Sequence, residues 1–388
     1  MSKSKVYFTS MKTEVGVSLL TKLDKLIRTA GMGDIDFQDK FTAIKIHFGE
    51  PGNLAFLRPN YAKVLVDLVK EKGGKPFLTD CNTLYVGGRK HALEHIDAAY
   101  MNGFTPFSTG CHVIIADGLK GTDEIAIPVE GGEYVQEAKI GRAIMDADVF
   151  ISLNHFKGHE STGFGGAVKN IGMGCGSRAG KMEQHSAGAP AVNEHKCIGC
   201  AKCTKVCAHE GITMVGNKAV VNEDKCVGCG RCIGVCLKDA IYAKCDESNI
   251  ILNKKMAEYT WAVLNDRPHF HVSLVVDVSP NCDCHSENDI PIVPDIGMFA
   301  SYDPIALDQA CVDAVNRQLP IQGSLLDDAV KANGEEGCSC GCGCGHDHEH
   351  KEADHFHMTH PDTNWQSCLE HGEKLGIGTR EYELITIK

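Results

Sequence analysis

Cys197, Cys200, Cys203 and Cys207 follow the run C-x2-C-x2-C-x3-C, and Cys226, Cys229, Cys232 and Cys236 repeat it 29 residues later. No other feature of the chain leaves so few folds open. Two-residue spacing lets three thiolates curl around one [4Fe–4S] cube on a tight loop, while the fourth cysteine of each run leads toward the other cube. The spacing therefore assigns Cys197, Cys200, Cys203 and Cys236 to one cluster, and Cys226, Cys229, Cys232 and Cys207 to the other. Gly199, Ala201, Gly228 and Gly230 let backbone amides approach the sulfurs, which stabilises added negative charge. Paired C-x2-C elements also make zinc ribbons, the alternative here. A zinc site uses four ligands, however, and leaves the surplus of a duplicated run without purpose. Proline commonly follows the fourth cysteine; Ala208 and Leu237 stand there instead, which alters a turn and no ligand.

The cysteine run is spliced into a longer chain of different texture. Ahead of it, short apolar strands at Val6–Thr9, Ala43–Phe48, Pro76–Thr79, Val113–Ala116 and Val149–Leu153 alternate with amphipathic helices. In those helices Leu19, Leu23, Leu26 and Ile27 share one face, as do Ala62, Leu65, Val66 and Val69. Such alternation predicts an α/β fold, a mostly parallel sheet with helices on both faces. Beyond the run the rhythm resumes. A helix is expected over Lys254–Asn265, a buried strand over Val272–Val278, and a helix opened by Asp303 and Pro304 that runs to about Arg317. A closing helix and strand follow at Trp365–Leu375 and Tyr382–Ile387.

Residues 1–192 thus begin an α/β domain, 193–245 form an inserted α+β dicluster domain, and 246–388 complete the α/β domain. A flexible Cys/His-rich segment is expected at about 335–360, where Cys338, Cys340, Cys342 and Cys344 run into His346, His348, His350, His355, His357 and His360. It is read either as a chelator of soft or borderline divalent ions or as a loop of no catalytic consequence.

A formal net charge of −12 over 388 residues argues against nucleic acid or an anionic membrane as the partner, since both attract a basic face. Residues 1–10 lack the apolar core of a signal peptide, and a cytoplasmic location is expected. Twenty cysteines in a reducing compartment point to metal ligation rather than disulfides.

Outside the run, Cys282, Cys284 and His285 follow a strand whose carboxyl end is the expected ligand side of an open sheet. They suit an additional metal or cluster, a redox-active thiol pair, or a plain polar loop. The glycine-dense stretch after residue 154 carries His155, Lys157, His159, Lys169, Cys175, Arg178 and Lys181. Exposed amides with Lys169, Arg178 and Lys181 suit a carboxylate or phosphate, against the alternative of a structural turn with solvated charges. The P-loop spacing is absent. From this stretch His155, Lys157, His159, Lys169, Cys175 and Arg178 are the candidate catalytic residues. His47, Glu50, Asp80 and Cys81 fall just past early strands, where they can join the same crevice.

Ile44–Asn53 (IKIHFGEPGN), Lys75–Gly88 (KPFLTDCNTLYVGG), Asn154–Ser186, the eight cluster cysteines and Val278–Ala314 together resemble the DUF362 family of iron–sulfur centre proteins, with an inserted bacterial-type ferredoxin domain for two [4Fe–4S] clusters. The resemblance implies an iron–sulfur protein without a named reaction. A shorter similarity, in the GFGGAVK run ending at Lys169, is to a glycine-rich stretch of lactate racemase-type proteins; it implies that the α/β body binds an organic anion or an unusual cofactor. The resulting expectation is an iron–sulfur oxidoreductase in which two clusters feed electrons to a site for a small anionic substrate. A redox partner protein or low-potential donor supplies them. The alternative is an electron carrier, or a metal or cluster delivery protein, without substrate chemistry of its own.

Overall fold

The computed structural model describes residues 3–84, 87–185, 189–244, 247–335 and 354–388. Among them, eight strands form one sheet: β1 (Ser4–Ser10), β2 (Phe41–Lys45), β3 (Lys75–Asp80), β4 (Val113–Ile115), β5 (Val149–His155), β6 (His269–Val275), β7 (Gly297–Ser301) and β8 (Tyr382–Thr386). Their order is β8-β1-β7-β6-β5-β2-β3-β4. Pairing is parallel except along β7, which runs antiparallel to both β1 and β6. All seven residues of β5 are buried, as a central strand covered on both faces requires.

Alternation along the strands sorts two cores. Ile44, Leu78, Ile151, Val272 and Met298 face helices α1 (Leu19–Thr29) and α2 (Pro59–Glu71), meeting Leu23, Leu26, Ile27, Leu65, Val66 and Val69. On the other face Ala43, Phe77 and Phe150 pack against Ile171 and Tyr259, while Val275 and Phe299 meet Ile305, Leu307 and Leu369. This second layer is built from α3 (Ala167–Cys175), α4 (Arg178–His185), α5 (Asn249–Leu264), α6 (Pro304–Asn316) and α7 (Gln366–Lys374). Asp303 caps α6 as expected, accepting from the Ile305 and Ala306 amides at 2.9 Å.

The chain leaves β2 through α2 on one face and leaves β5 through α3, α4 and α5 on the other. The neighbouring strands β2 and β5 therefore mark a topological switch point, with a crevice outside their carboxyl ends. A close packing of α3 against α5 stands over it. Thr260 Oγ1 donates to the Val168 carbonyl at 3.0 Å, and a methyl group placed on Gly172 would run into the Met256 carbonyl. Gly172→Ala is expected to lower stability by about 1–3 kcal/mol through overpacking, read from the urea midpoint; an unchanged midpoint would mean that α5 slides freely over α3.

The segment between α4 and α5 carries the cysteine runs. Two small antiparallel pairs, Pro190–Val192 with Ile241–Ala243 and Ile212–Val215 with Lys218–Val221, frame two short helices, Lys202–Val206 and Arg231–Gly234. At the residue immediately before each helix the backbone is left-handed, Ala201 with φ 56° and Gly230 with φ 65°. Of the segment expected to be flexible at 335–360, Cys338 to His350 lie outside the described residues. Its last part differs from the expectation: His355–Thr359 is a helix with Phe356 buried in the second core. His355 and His360 hold the carbonyls of Gln318 and Pro280 at 2.8 and 2.7 Å. Phe356 supplies the apolar anchor there, a role that a count of histidines hides.

Candidate functional site

The inserted segment gathers its thiols in two places. One small cavity is lined by Cys197, Cys200, Cys203 and Cys236, the other by Cys207, Cys226, Cys229 and Cys232. These are the crossed sets that the spacing assigned, with the fourth cysteine of each run delivered to the opposite cavity. Backbone amides already point at sulfur: Gly211 N–H donates to Cys207 Sγ at 3.2 Å, Ala240 N–H to Cys236 Sγ at 3.2 Å and Ala219 N–H to Cys197 Sγ at 3.4 Å. The Ala219 and Gly199 amides hold the Cys197 thiol below its ordinary pKa, whereas burial pushes Cys232 up to about 12. Among the described residues, no three His, Cys, Asp or Glu side chains converge as they would on a single metal ion.

A larger cavity of about 280 Å³ opens at the switch point. Lys45 and His47 reach it from the end of β2, and Asp80 and Cys81 from the end of β3. His159 and Glu160 come from the short hairpin beyond β5, Lys169 and Asn170 from α3, Lys181 and His185 from α4, and Cys282, Cys284 and His285 from the loop beyond β6. Four cationic side chains on its wall, Lys45, Arg89, Lys169 and Lys181, outnumber the two carboxylates Asp80 and Glu160, in a chain whose net charge is −12. The cavity is thus an electropositive pocket in an acidic protein.

Its floor is an ion-paired network. Lys45 Nζ lies 3.0 Å from Asp80 Oδ1 and donates to Asn170 Oδ1 at 2.7 Å. Burial alone would raise the Asp80 carboxyl, but the Lys45 charge holds it below its ordinary value. Arg89 pairs with Glu50 at 2.7 Å and reaches His47 Nε2 at 2.8 Å. Burial and the Arg89 charge take His47 down to about 3, and burial with Lys169 takes His185 to about 3 as well. Both imidazoles are therefore neutral at physiological pH.

The loop beyond β6 forms the opposite wall. His285 N–H donates to the Cys282 carbonyl at 3.1 Å, closing a turn, and Lys169 Nζ stands 3.4 Å from Cys282 Sγ. A hydrogen bond from the Cys284 thiol and the charges of Lys157 and Lys169 bring the Cys282 thiol well below its ordinary pKa, overriding burial; Cys284 moves the other way. His285 Nε2 is 2.9 Å from Glu160 Oε1. Behind the loop, His155 Nδ1 is 2.8 Å from Asp283 Oδ2, and Asp283 is held down to about 2 against its burial by that imidazole.

Of the candidate residues, His159, Lys169, Cys282, Cys284 and His285 line this cavity, and His47, Asp80 and Cys81 join them. His155 and Lys157 are buried behind the wall. Cys175 does not belong: it is fully buried at the end of α3 in the core with Ile171 and Tyr259, and burial pushes its thiol up to about 12. Arg178 also points elsewhere. It lies against the inserted segment, where a methyl on Gly234 would strike its guanidinium and one on Gly230 would come within 2.9 Å of its Cγ. Met182, one turn further along α4, joins Leu84, Cys203, Ile233 and Ile241 in the small core of the insert. One helix therefore carries both the docking contact of the insert, through Arg178 and Met182, and part of the cavity wall, through Lys181 and His185. Lys45 and Arg89 escaped sequence reasoning; the available signal was a lysine inside the apolar strand of β2, since buried lysine is rare unless paired.

A model of the family described as domain of unknown function (DUF362) matches residues 42–313. The thylakoid-associated protein sll1697 of Synechocystis sp. is 28% identical over 185 residues, covering 45% of this chain and 51% of that relative, so the chain spans about half of the relative's length. Two solved structures overlap weakly. A structural-genomics crystal structure of a Thermotoga maritima protein has 14% identity and a TM-score of 0.38, covering 76% of this chain and 57% of that one. The lactate racemase apoprotein of Thermoanaerobacterium thermosaccharolyticum has 13% identity and a TM-score of 0.39, covering 98% of this chain and 82% of that one. Among the described residues, no helix is long and apolar enough to cross a membrane.

Proposed function

The chain belongs to the DUF362 family, and on that footing we propose that it is an iron–sulfur oxidoreductase whose inserted ferredoxin-like module serves the cationic cavity of the α/β body. Cys197, Cys200, Cys203 and Cys236 would hold one [4Fe–4S] cluster, and Cys207, Cys226, Cys229 and Cys232 the other. Such clusters supply one-electron transfer at potentials tuned by hydrogen bonds to sulfur and by burial. The chain's own part is to aim amides at the ligands and to seat the module on α4. At the cavity, Lys169 and Lys181 offer positive charge to a small anionic substrate, while neutral His47 and His185 line the wall without competing for it. A redox partner protein or low-potential donor would load the module. The described cysteines are all unpaired thiols, which suits the reducing cytoplasm in which we place the protein.

The observation that carries this reading is the shared helix α4: Met182 sits in the module's core, and Lys181, the residue before it, sits on the cavity wall. A carrier or delivery protein without substrate chemistry has no use for a paired, buried cationic pocket behind its docking helix. The test is anaerobic purification followed by iron and acid-labile sulfide counts, with about eight of each expected per chain. Brown protein should bleach on reduction with dithionite. Colourless protein, or zinc held by these thiols, would overturn the reading.

A further inference from the structure

The geometry points to a thiol–disulfide exchange couple: we propose that Cys282 and Cys284 react with a small disulfide bearing anionic groups. This names the substrate class of the cavity proposed above and rests on that reading for the source of its electrons, although the exchange step stands by itself. Three observations carry it. A hydrogen bond joins the Cys284 and Cys282 side chains on a turn closed between Cys282 and His285, and both thiols line the cavity. Lys169 Nζ, 3.4 Å from Cys282 Sγ, stabilises a thiolate, which is the form that attacks sulfur. The remaining wall is cationic, and His285 is engaged by Glu160 at 2.9 Å, so the loop presents two sulfurs rather than a converging ligand set.

Cys81 provides an internal contrast. It lines the same cavity, but burial and the Asp117 charge raise its thiol well above the ordinary value, so it stays protonated and unreactive.

The step balances without an outside oxidant. The Cys282 thiolate attacks one sulfur of the substrate disulfide, a mixed disulfide forms and the first substrate thiolate leaves, taking a proton. Cys284 then loses its proton and attacks Cys282 Sγ, so the mixed disulfide breaks, the second substrate thiol departs and one Cys282–Cys284 bond remains. Two electrons and two protons return the pair to thiols; the iron–sulfur module is the reductant implied by the proposed function.

The experiment uses the full reduced chain at pH 7, quenched by alkylation and read by peptide mass spectrometry. Glutathione redox buffers should produce a bond joining Cys282 to Cys284, and Cys284→Ser should instead accumulate a mixed disulfide on Cys282. The rate with dianionic 3,3′-dithiodipropionate relative to dicationic cystamine should exceed the same ratio for a free small thiol by about tenfold or more, a modest effect for charges at this range. Lys169→Gln should cut that excess several-fold. The proposal is overturned if Cys282 is alkylated no faster than Cys81, if neither bond forms, if the charge preference is absent, or if Cys282→Ser and Cys284→Ser lose iron that the parent retains. A parent that carries no iron but still forms the Cys282–Cys284 bond would sink the proposed function and leave the exchange couple standing.

Discussion

Replacing Cys200 and Cys236 together by alanine is expected to remove one cluster and leave about four irons per chain, whereas replacing Cys200 and Cys207 together is expected to remove both. The two pairs look alike in sequence, one ligand from the first three of a run and one fourth cysteine. They differ in space, because Cys200 and Cys236 line one cavity and Cys207 lines the other. Iron and sulfide counts on anaerobic protein, with the low-temperature EPR of the reduced state, separate the outcomes. The reverse pattern would mean that each run closes on its own cube. The expected contrast is large, since a missing thiolate leaves a cube with an open corner and no neighbouring cysteine of the same cavity to replace it. The insert keeps an apolar core shared by both halves, where Ile212, Ile233 and Ile241 pack with Met182 and Leu84 of the α/β body.

The periodic parts of this molecule were legible from residues alone. The strand at Val149–Leu153, the helix faces of Leu23 and Leu65, and the Asp303 cap emerge where the pattern placed them, because each rests on local spacing. The sorting of the eight cysteines between two small cavities follows the spacing of the runs, which is local too. What escaped was set by distant contacts. Cys175 reads as reactive in a glycine-rich stretch, yet the Ile171 and Tyr259 core takes it. Arg178 reads as an anion ligand, and only the fold turns it toward Gly230 and Gly234. The sequence marks Lys45 only as a lysine inside an apolar strand, and Arg89 not at all; their meaning comes from Asp80 and Glu50, carried to them by other strands and loops.

Lys45→Met is expected to destabilise the protein by about 3–5 kcal/mol at neutral pH, the typical penalty for stranding one partner of a buried ion pair. Lys45 and Asp80 side chains are 1% and 4% exposed and 3.0 Å apart, so water cannot replace the lost ammonium. The double variant Lys45→Met/Asp80→Asn should recover most of the loss, because it strands no charge. The pH dependence has a definite sign. In the parent, the Asp80 pKa is depressed, so its contribution is complete above the ordinary value of 3.8 and is lost as pH falls through the depressed folded value. In Lys45→Met, burial without the lysine pushes that carboxyl up, and the variant sheds its penalty by protonating as pH falls. The gap between parent and variant is therefore widest at neutral pH and closes progressively toward acid. Urea denaturation across that range reads it directly; a gap below about 1 kcal/mol at pH 7, or one that fails to narrow toward acid, would show that Asp80 leans on Lys181 instead. The same pair sits at the mouth of β2 and β3, so this measurement also reports how firmly the cavity floor is held before any ligand arrives.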